Sequence, residues 1–319
     1  MFGRSMRARK MKDFNIGTEV EGYALDLCLG SGAHGSCYRA HKVRKMSELI
    51  CVKLISDKEQ AENEYKNMKI LMELQVVPKV LFLKSFPHIS CLGMNLAYQD
   101  NIQTFLDKLD GSVDENGQLM EPGRFSDDTL VRVLMQCMAA LKQIHELNIV
   151  HMDLKPENVF VTTPRGRAVR ILIGDFGMAT RVQMVDGTEL RPEPNQPAYD
   201  LQSMAHCSPK VHMRKVHGYL EDLHQISYLS LRMGGFDFVN EFPTQVELIS
   251  YKVHLMHDAM KVLSEGTQWL APLFNAINRQ DPLNIDYDDM KKTARSLVTK
   301  VSFTEILRLK KIQHTFFLD

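Results

Sequence analysis

The sequence predicts an α+β fold in two parts: a small antiparallel β-rich N-terminal lobe with one helix, then a larger, mainly helical C-terminal lobe. Short β-prone runs separated by glycines and polar turns fill the first third of the chain. After Tyr98 the apolar residues recur mostly at helical spacing. We therefore predict a basic N-terminal tail at 1–20, the β-rich lobe at 21–97 and the helical lobe at 98–319.

The β-rich lobe is predicted to hold about five strands, within 23–30, 36–42, 49–57, 76–86 and 90–98. One helix is expected at 59–75, where Tyr65, Met68, Leu71 and Met72 recur at three- and four-residue intervals and would share a face.

The helical lobe has a predicted helix at 101–109 and another at 127–147, which opens at a serine or aspartate in N-cap position. Between them, 110–124 is polar and Gly-rich, which indicates a surface insertion. Further helices are expected within 218–234, 244–265, 268–278 and 287–300.

The composition narrows the class of protein. The chain has 319 residues with equal numbers of basic and acidic side chains, so we expect no nucleic acid as the main partner. No apolar run approaches the roughly twenty residues that span a bilayer, so no membrane is expected. Six cysteines without a C-x-x-C pair favour a reducing, intracellular location, cytoplasmic or nuclear. The basic N-terminus is either a solvated tail or a nuclear address.

Glycines at 30, 32 and 35 form a G-x-G-x-x-G pattern that two nucleotide-binding folds use. In a dinucleotide fold the pattern leads into a helix, whereas here the following residues are typical of strand, turn and strand. We therefore predict a hairpin whose backbone amides approach phosphates. An ordinary hairpin turn is the alternative.

Lys53 stands alone in the apolar run ICVKLI, where burying an unpaired ammonium would be costly. It needs anions nearby, and we expect nucleotide phosphates together with a carboxylate from the predicted helix. Glu64 is the predicted partner, because it directly precedes the apolar stripe, whereas Glu62 would point elsewhere. A lysine in water at a strand edge is the alternative.

Two further motifs follow in order. Asp153, Lys155 and Asn158 form D-x-K-x-x-N between two apolar strand-like runs, and Asp175-Phe176-Gly177 comes after them. With the glycine loop, the strand lysine and the helix glutamate, the chain resembles the eukaryotic protein kinases over nearly its whole length. The resemblance implies a bilobal protein-kinase-like fold.

The resemblance also implies a role for each residue. Asp175 and Asn158 would hold magnesium on the phosphates of ATP. Asp153 would orient the substrate hydroxyl and accept its proton, and Lys155 would neutralise the γ-phosphate. Lys53 and Glu64 would complete the catalytic set, and Phe176 would pack beneath the helix.

The same resemblance implies a nucleotide site. Its predicted residues are Leu29, Gly30, Gly32, Gly35, Cys37, Cys51, Lys53, Met94, Asn95 and Ala97, with Leu96 as a further apolar wall. Met94 would guard the back of the pocket, and backbone groups of Asn95 and Ala97 would pair with the base. A register shifted by two residues would make Leu92 the guard instead.

The chain departs from the family at two places. Met152 stands where the family usually has an arginine that binds a phosphorylated activation loop, so activity is not expected to depend on loop phosphorylation. Ser208-Pro209-Lys210 stands where the family has A-P-E, and the partner arginine falls near Ile285, so both halves of a buried ion pair are missing. The segment YLEDLHQISYLSL resembles the corresponding helix of the casein-kinase-one and vaccinia-related kinase group, and Asp222 would brace the catalytic loop there. The two losses point to the same group.

The resemblance thus implies a Ser/Thr protein kinase that uses ATP and Mg²⁺ on protein substrates, since Lys155 is typical of Ser/Thr kinases. Two alternatives are a pseudokinase scaffold and a small-molecule kinase of the aminoglycoside or choline type. The stretch 180–206 would face the substrate, with Ser203 or Tyr199 as possible modification sites. Glu157 is either a contact for a basic substrate residue or a solvated acid.

Overall fold

The computed structural model describes residues 14–32, 35–96, 100–109, 124–163, 168–187, 189–192, 205–212, 218–298, 306–312 and 315–318. They divide into two compact units, one drawn from 1–97 with 175–179 and the other from 98–174 with 180–319. Most of the predicted basic tail and of the predicted insertion, together with Tyr199 and Ser203, lies outside the described residues. Within the described part, no helix is long and apolar enough to cross a lipid bilayer.

The first unit is built on an antiparallel sheet of six strands. In chain order these are β1 (Glu19–Val20), β2 (Tyr23–Gly32), β3 (Gly35–Lys42), β4 (Lys45–Ile55), β5 (Val80–Ser85) and β6 (Ser90–Asn95). Their order across the sheet is β1-β2-β3-β4-β6-β5. The last five correspond to the predicted strands, whereas β1 is too short to show an alternating pattern.

The helix of this unit, α1 (Lys58–Ile70), begins at Asp57, whose side chain accepts a hydrogen bond from Gln60 N. It ends five residues before the predicted end. Met68 and Leu71 are buried as expected, but Tyr65 and Met72 are only half-buried. The predicted stripe was therefore partly wrong, because the buried face of the helix is centred on Glu64 and its polar neighbours.

The second unit is mainly helical. Its helices are α2 (Ile102–Leu109), α3 (Asp127–His145), α4 (Pro209–His212), α5 (Tyr219–Met233), α6 (Phe238–Glu241), α7 (Gln245–His257), α8 (Ala259–Val262), α9 (Ala271–Asn278) and α10 (Tyr287–Ser296). Helix α3 begins at Ser126, whose side chain accepts a hydrogen bond from Thr129 N, as an N-cap residue does. Helices α3 and α5 are the two longest of these helices, and nearly every residue of α5 is buried.

The single helix predicted at 244–265 is wrong, since the structure has α7 and α8 there with a break at Asp258. Asp258 has a non-helical backbone with φ of −155° and ψ of 86°, and its side chain accepts a hydrogen bond from Lys261 N at 3.3 Å. The residue is thus the N-cap of α8. Because no proline or glycine marks this position, the apolar periodicity alone extended the helix too far.

The second unit also contains short strands: β7 (Ile149–Val150), β8 (Val159–Thr162), β9 (Arg170–Ile173), β10 (Thr180–Val185), β11 (Glu189–Pro192), β12 (Leu309–Ile312) and β13 (Thr315–Leu318). Strands β8 and β9 pair antiparallel, and β10 pairs with both β7 and β11. The last four strands were not predicted. The sequence did contain a signal for the β10–β11 hairpin, because Asp-Gly at 186–187 is a dipeptide typical of hairpin turns. Both residues take the positive φ values that such turns require.

Candidate active site

The glycine motif lies in the hairpin formed by β2 and β3, as predicted. Gly30 is paired with Cys37 and Gly32 with Gly35 in antiparallel register. Gly35 has φ of +132°, and a Cβ there would lie 2.1 Å from Leu54 O, so no other residue fits. A Cβ on Gly30 or Gly32 would meet nothing within 4 Å. The space beside these two glycines therefore allows another molecule to approach the backbone.

Lys53 lies in the middle of β4 and is 4% exposed. Its Nζ atom lies 2.9 and 3.0 Å from the two carboxylate oxygens of Glu64, the predicted partner, and 2.6 Å from Asp175 Oδ1. Glu62 lies instead 3.9 Å from Lys58, in an exposed pair. Lys53 is thus a buried cation held by two carboxylates, and the alternative of a lysine in water is wrong.

This cluster places one ammonium group, that of Lys53, between the two carboxylates of Glu64 and Asp175. Burial alone would lower the pKa of Lys53, but Asp175 and Glu64 raise it above its ordinary value. Burial raises the pKa of Glu64 to about 7, Asp175 adds to the rise and Lys53 opposes it. Above the pKa of Glu64, an excess of negative charge remains beside Lys53, which favours the approach of a further cation.

The turn Phe176–Met178 packs against α1, and Phe176 is completely buried. Two helix residues that sequence reasoning missed hold the end of this turn: Asn63 and Asn67 donate to Ala179 O at 3.1 and 3.0 Å. Asp175 itself has φ of +62°, an uncommon value for an aspartate. The contacts of α1 with the turn therefore fix the backbone that carries Asp175.

Strand register relates the predicted nucleotide residues of this unit to one another. Cys37 is paired with Lys53, and Cys51 with Met94. The pKa of the Cys37 thiol is lowered, first by a hydrogen bond with Cys51 and further by the charge of Lys53, while burial opposes the change. Cys37 and Cys51 are both half-buried.

The two alternatives for the guard residue differ in exposure. Leu92 is paired with Lys53 and is completely buried, whereas Met94 is half-buried and retains accessible surface. Met94 therefore stays our prediction. Leu29 is 47% exposed in β2.

At the end of β6, Asn95 N donates to Lys79 O at 2.9 Å, so this N–H group is already engaged within the protein. Leu96 is half-buried, and Ala97 lies outside the described residues.

The D-x-K-x-x-N residues come together in the second unit, in the loop between β7 and β8. Lys155 Nζ lies 2.8 Å from Asp153 Oδ2, and Asn158 Nδ2 donates to the same oxygen at 3.0 Å and to Asp153 O at 2.8 Å. Asp153 Oδ1 is buried and has no hydrogen-bond partner among the residues that the structure describes. Glu157, in the same loop, has an exposed side chain.

Helix α5 braces this loop through Asp222, as predicted. The carboxylate of Asp222 accepts from the backbone N–H groups of His151 at 2.7 Å and Met152 at 2.8 Å, and from His145 Nε2 at 2.9 Å. Met152, the departure from the family arginine, is buried with φ of +68°. A carboxylate on two successive N–H groups therefore holds the backbone directly before Asp153 in an uncommon conformation.

Two more residues that sequence reasoning missed support the loop. Gln225, one turn after Asp222, accepts from Leu154 N at 2.6 Å and donates to Met152 O at 2.8 Å. His151 Nε2 donates to Gly174 O at 2.9 Å. The D-x-x-Q spacing on one helix was a signal for the role of Gln225, because residues three apart share a helix face.

A metal site built only from protein side chains is absent from the described part of the chain, where no group of three or more His, Cys, Asp or Glu residues could hold an ion. Magnesium usually binds one or two protein oxygens together with phosphates and water, so a site of the predicted kind would not form such a group, and Asn158 and Asp175 stay a prediction. Asn158 uses its amide nitrogen on Asp153, so its amide oxygen is the atom available as a ligand.

The raised pKa of Glu64 predicts a pH-dependent stability. Because the folded state holds a proton that the unfolded state releases, wild-type stability should fall as pH rises from the ordinary pKa of glutamate through about 7. Glu64→Gln cannot titrate, so from pH 5.5 to 8 the variant should gain about 2 kcal/mol relative to wild type. Urea unfolding at several pH values measures this difference. Glu62→Gln is the matched control at an exposed position, and identical pH profiles for wild type and Glu64→Gln would contradict the prediction.

Comparison with known families identifies the class of protein that this fold and these residues define. The family described as protein kinase domain matches residues 23–200, which is more than half of the chain. The chain therefore belongs to the protein kinase domain family, for which ATP is the phosphoryl donor.

Individual relatives are serine/threonine-protein kinases by name. The kinase ULK3 of Xenopus laevis is 28% identical over 199 residues, which are 62% of this chain and 40% of that protein. The probable kinase zyg-1 of Caenorhabditis briggsae is 30% identical over 173 residues, 52% of this chain and 22% of that protein. The putative kinase K06H7.1 of Caenorhabditis elegans is 25% identical over 209 residues, which are 64% of this chain and 57% of that protein. The matched part of the chain thus spans less than two thirds of each relative.

Proposed function

We propose that the protein is a Ser/Thr protein kinase that transfers the γ-phosphoryl group of ATP to hydroxyl groups of proteins. The observation that carries the proposal is the hydrogen bonding of the two carboxylate oxygens of Asp153. One carboxylate oxygen is fixed by Lys155 and Asn158, and the other is buried without a partner among the described residues. A fixed carboxylate with one unused acceptor is suited to orient a hydroxyl group and take its proton.

The neighbouring residues supply charge and position. Lys155 carries a positive charge beside Asp153, where it would neutralise a γ-phosphate as the proton leaves the attacking hydroxyl. Lys53, held in place by Glu64, would bind the phosphates of the nucleotide. The open backbone at Gly30 and Gly32 supports close contact with those phosphates.

We propose magnesium as the cofactor, held by Asp175 and Asn158. Hard cations prefer oxygen ligands, and the excess negative charge around Asp175 fits a cation. Bound magnesium would neutralise the charge that develops on the transferred phosphoryl group. The protein's own contribution is to orient the Asp175 carboxylate through the turn Phe176–Met178.

Phosphoryl transfer from labelled ATP and Mg²⁺ to a library of Ser, Thr and Tyr peptides tests the proposal. We expect phosphoserine or phosphothreonine and little phosphotyrosine. Thermal stabilisation by Mg–ATP without transfer would indicate a pseudokinase scaffold. Phosphorylation of small amino-alcohols but of no peptide would indicate a small-molecule kinase. Either result would overturn the proposal.

A finer affiliation with the casein-kinase-one and vaccinia-related kinase group is part of this proposal. It is supported by the α5 helix with Asp222 and by the segments VVPKVLF at 76–82 and IDYDDMKKTARSL at 285–297, whereas Ser208-Pro209-Lys210 does not match the group well. The same peptide library separates acid-directed from basic-directed substrate preference, and a basic preference would support a contact at Glu157. We also propose a reducing intracellular location, since all six cysteines are free thiols.

A further inference from the structure

The segment Ala205–His212 consists of a short stretch followed by α4. It contains Ser208-Pro209-Lys210, where the sequence lacks the family's acidic residue. The arginine that would pair with that acid is also missing from the sequence near Ile285. Cys207, Ser208 and Pro209 are nevertheless fully buried. A different set of contacts must therefore hold this part of the chain in place.

Lys252, in the middle of α7, makes the first of these contacts. The side chain is completely buried, and its Nζ atom donates to the backbone carbonyls of Ala205 and Cys207, the latter at 2.6 Å. The ammonium also lies 4.7 Å from the ring centre of Tyr228 and 5.6 Å from that of Phe238. Two carbonyl dipoles and two aromatic faces thus solvate a charge that water cannot reach.

Glu221, at the start of α5, makes the second contact with the opposite sign. Its Oε1 atom accepts a hydrogen bond from Ser208 N at 2.6 Å, and the side chain is 5% exposed. The cation on α7 therefore binds the carbonyls of the segment, and the acid on α5 binds its N–H group. The two charges attract one another as well, although no direct contact joins them.

If Lys252 only filled space in the core, an apolar residue of similar volume should be at least as stable at this position. Burying a lysine costs free energy, and burial lowers the pKa of Lys252 to about 8. Replacing buried charges by apolar residues of similar volume is often neutral or stabilising. If the core alone mattered, methionine would fill this position at least as well. What methionine cannot supply is the pair of hydrogen bonds to the segment.

We propose that Lys252 and Glu221 are the positioning pair for residues 205–208, where the predicted substrate-facing stretch 180–206 ends, in place of the missing acid–arginine pair. The inference rests on the proposed function, because the segment meets a peptide only in a protein kinase. Lys252 acts through the backbone of Ala205 and Cys207 and contacts neither substrate nor nucleotide in this scheme. Its loss should therefore change peptide binding and leave nucleotide binding unchanged.

The experiment compares Lys252→Met, Lys252→Arg and Lys261→Met in the full chain. Lys261 is the matched control, since its side chain is 83% exposed and forms a surface ion pair with Asp258. Hydrogen exchange of residues 205–212 is measured without any substrate, and KM values for peptide and for ATP are measured separately. In Lys252→Met we expect exchange in 205–212 and the peptide KM each to rise about tenfold, as the loss of hydrogen bonds from a charged group predicts. The KM for ATP should change less than about twofold.

Lys252→Arg keeps a cation and should restore part of the protection and of the peptide affinity, whereas Lys261→Met should behave as wild type. Unchanged exchange at 205–212 in Lys252→Met would overturn the proposal, whether or not the protein transfers phosphate. Faster exchange with an unchanged peptide KM would overturn the part that concerns the substrate. A wild type without transfer would instead contradict the proposed function, and the exchange data would still test the pair. If Lys252→Met does not fold, Glu221→Met removes the acceptor of the Ser208 N–H group and must accelerate the same exchange.

Discussion

Asp153→Asn should lower kcat by about three orders of magnitude, the range expected when a general base is removed. The asparagine oxygen would still accept from Lys155 and Asn158, so the loop would keep its shape. Its NH2 group would then occupy the place of Oδ1, the buried oxygen that has no partner in the described part of the chain. An amide nitrogen cannot take a proton from a hydroxyl group, so the loss should appear in the chemical step.

Steady-state kinetics with a Ser/Thr peptide and binding of Mg–ATP to the same preparation measure this effect. Nucleotide affinity should change less than about twofold, because the proposed role of Asp153 is to contact the substrate hydroxyl and not the nucleotide. Asp288→Asn makes the same chemical change at a side chain that is 82% exposed and should leave both values unaltered. A variant Asp153→Asn with more than a tenth of wild-type kcat would contradict the assigned role, and a change in nucleotide affinity alone would place Asp153 in binding instead.

The parts of the site that were predictable are those whose chemistry restricts the residue type at a short spacing. Lys53 could be assigned because an ammonium in an apolar strand demands an anion, and Glu64 is one of few carboxylates within reach. Asp153, Lys155 and Asn158 lie within one short loop, so their sequence spacing nearly determines that they meet.

Contacts that depend on tertiary structure were not predictable. Asn63 and Asn67 look like solvated positions of a helix, yet both are buried against Ala179, more than a hundred residues away in the chain. Lys252 lies at helical spacing from Leu248 and Leu255, so its neighbourhood is compatible with burial, but the sequence does not identify the carbonyls of Ala205 and Cys207 as its partners. The sequence does not show whether a polar side chain is buried or solvated. A buried polar side chain is recognised only by the hydrogen-bond partner that the tertiary structure brings to it.

Asp222→Ala should destabilise the second unit more than any other single substitution considered for it. The N–H groups of His151 and Met152 and the ring of His145 would all lose the carboxylate that accepts from them, and none can reach water. Each buried donor left without a partner costs about 1–3 kcal/mol, so a total loss of about 4 kcal/mol is expected. Met152 adds a second effect, since its φ of +68° would relax once the carboxylate is gone.

That relaxation would move Asp153, the next residue along the chain. Asp222→Ala should therefore lower kcat even at temperatures where the variant is fully folded, although Asp222 touches no reacting atom. Thermal and urea unfolding measure the stability, and kinetics at low temperature measure the activity of the folded fraction. Asp288→Ala is the exposed control, for which a change of less than about 0.5 kcal/mol is expected.

Asp222→Asn distinguishes the two effects. It keeps one acceptor oxygen but directs an NH2 group at the second backbone N–H, so its stability should lie between that of wild type and Asp222→Ala. If Asp222→Ala unfolded like the control, the carboxylate would not be a brace for the loop. If it lost stability yet kept full kcat once folded, the conformation of Met152 would not depend on Asp222, and the position of Asp153 would have to be set by Gln225 and His151 alone.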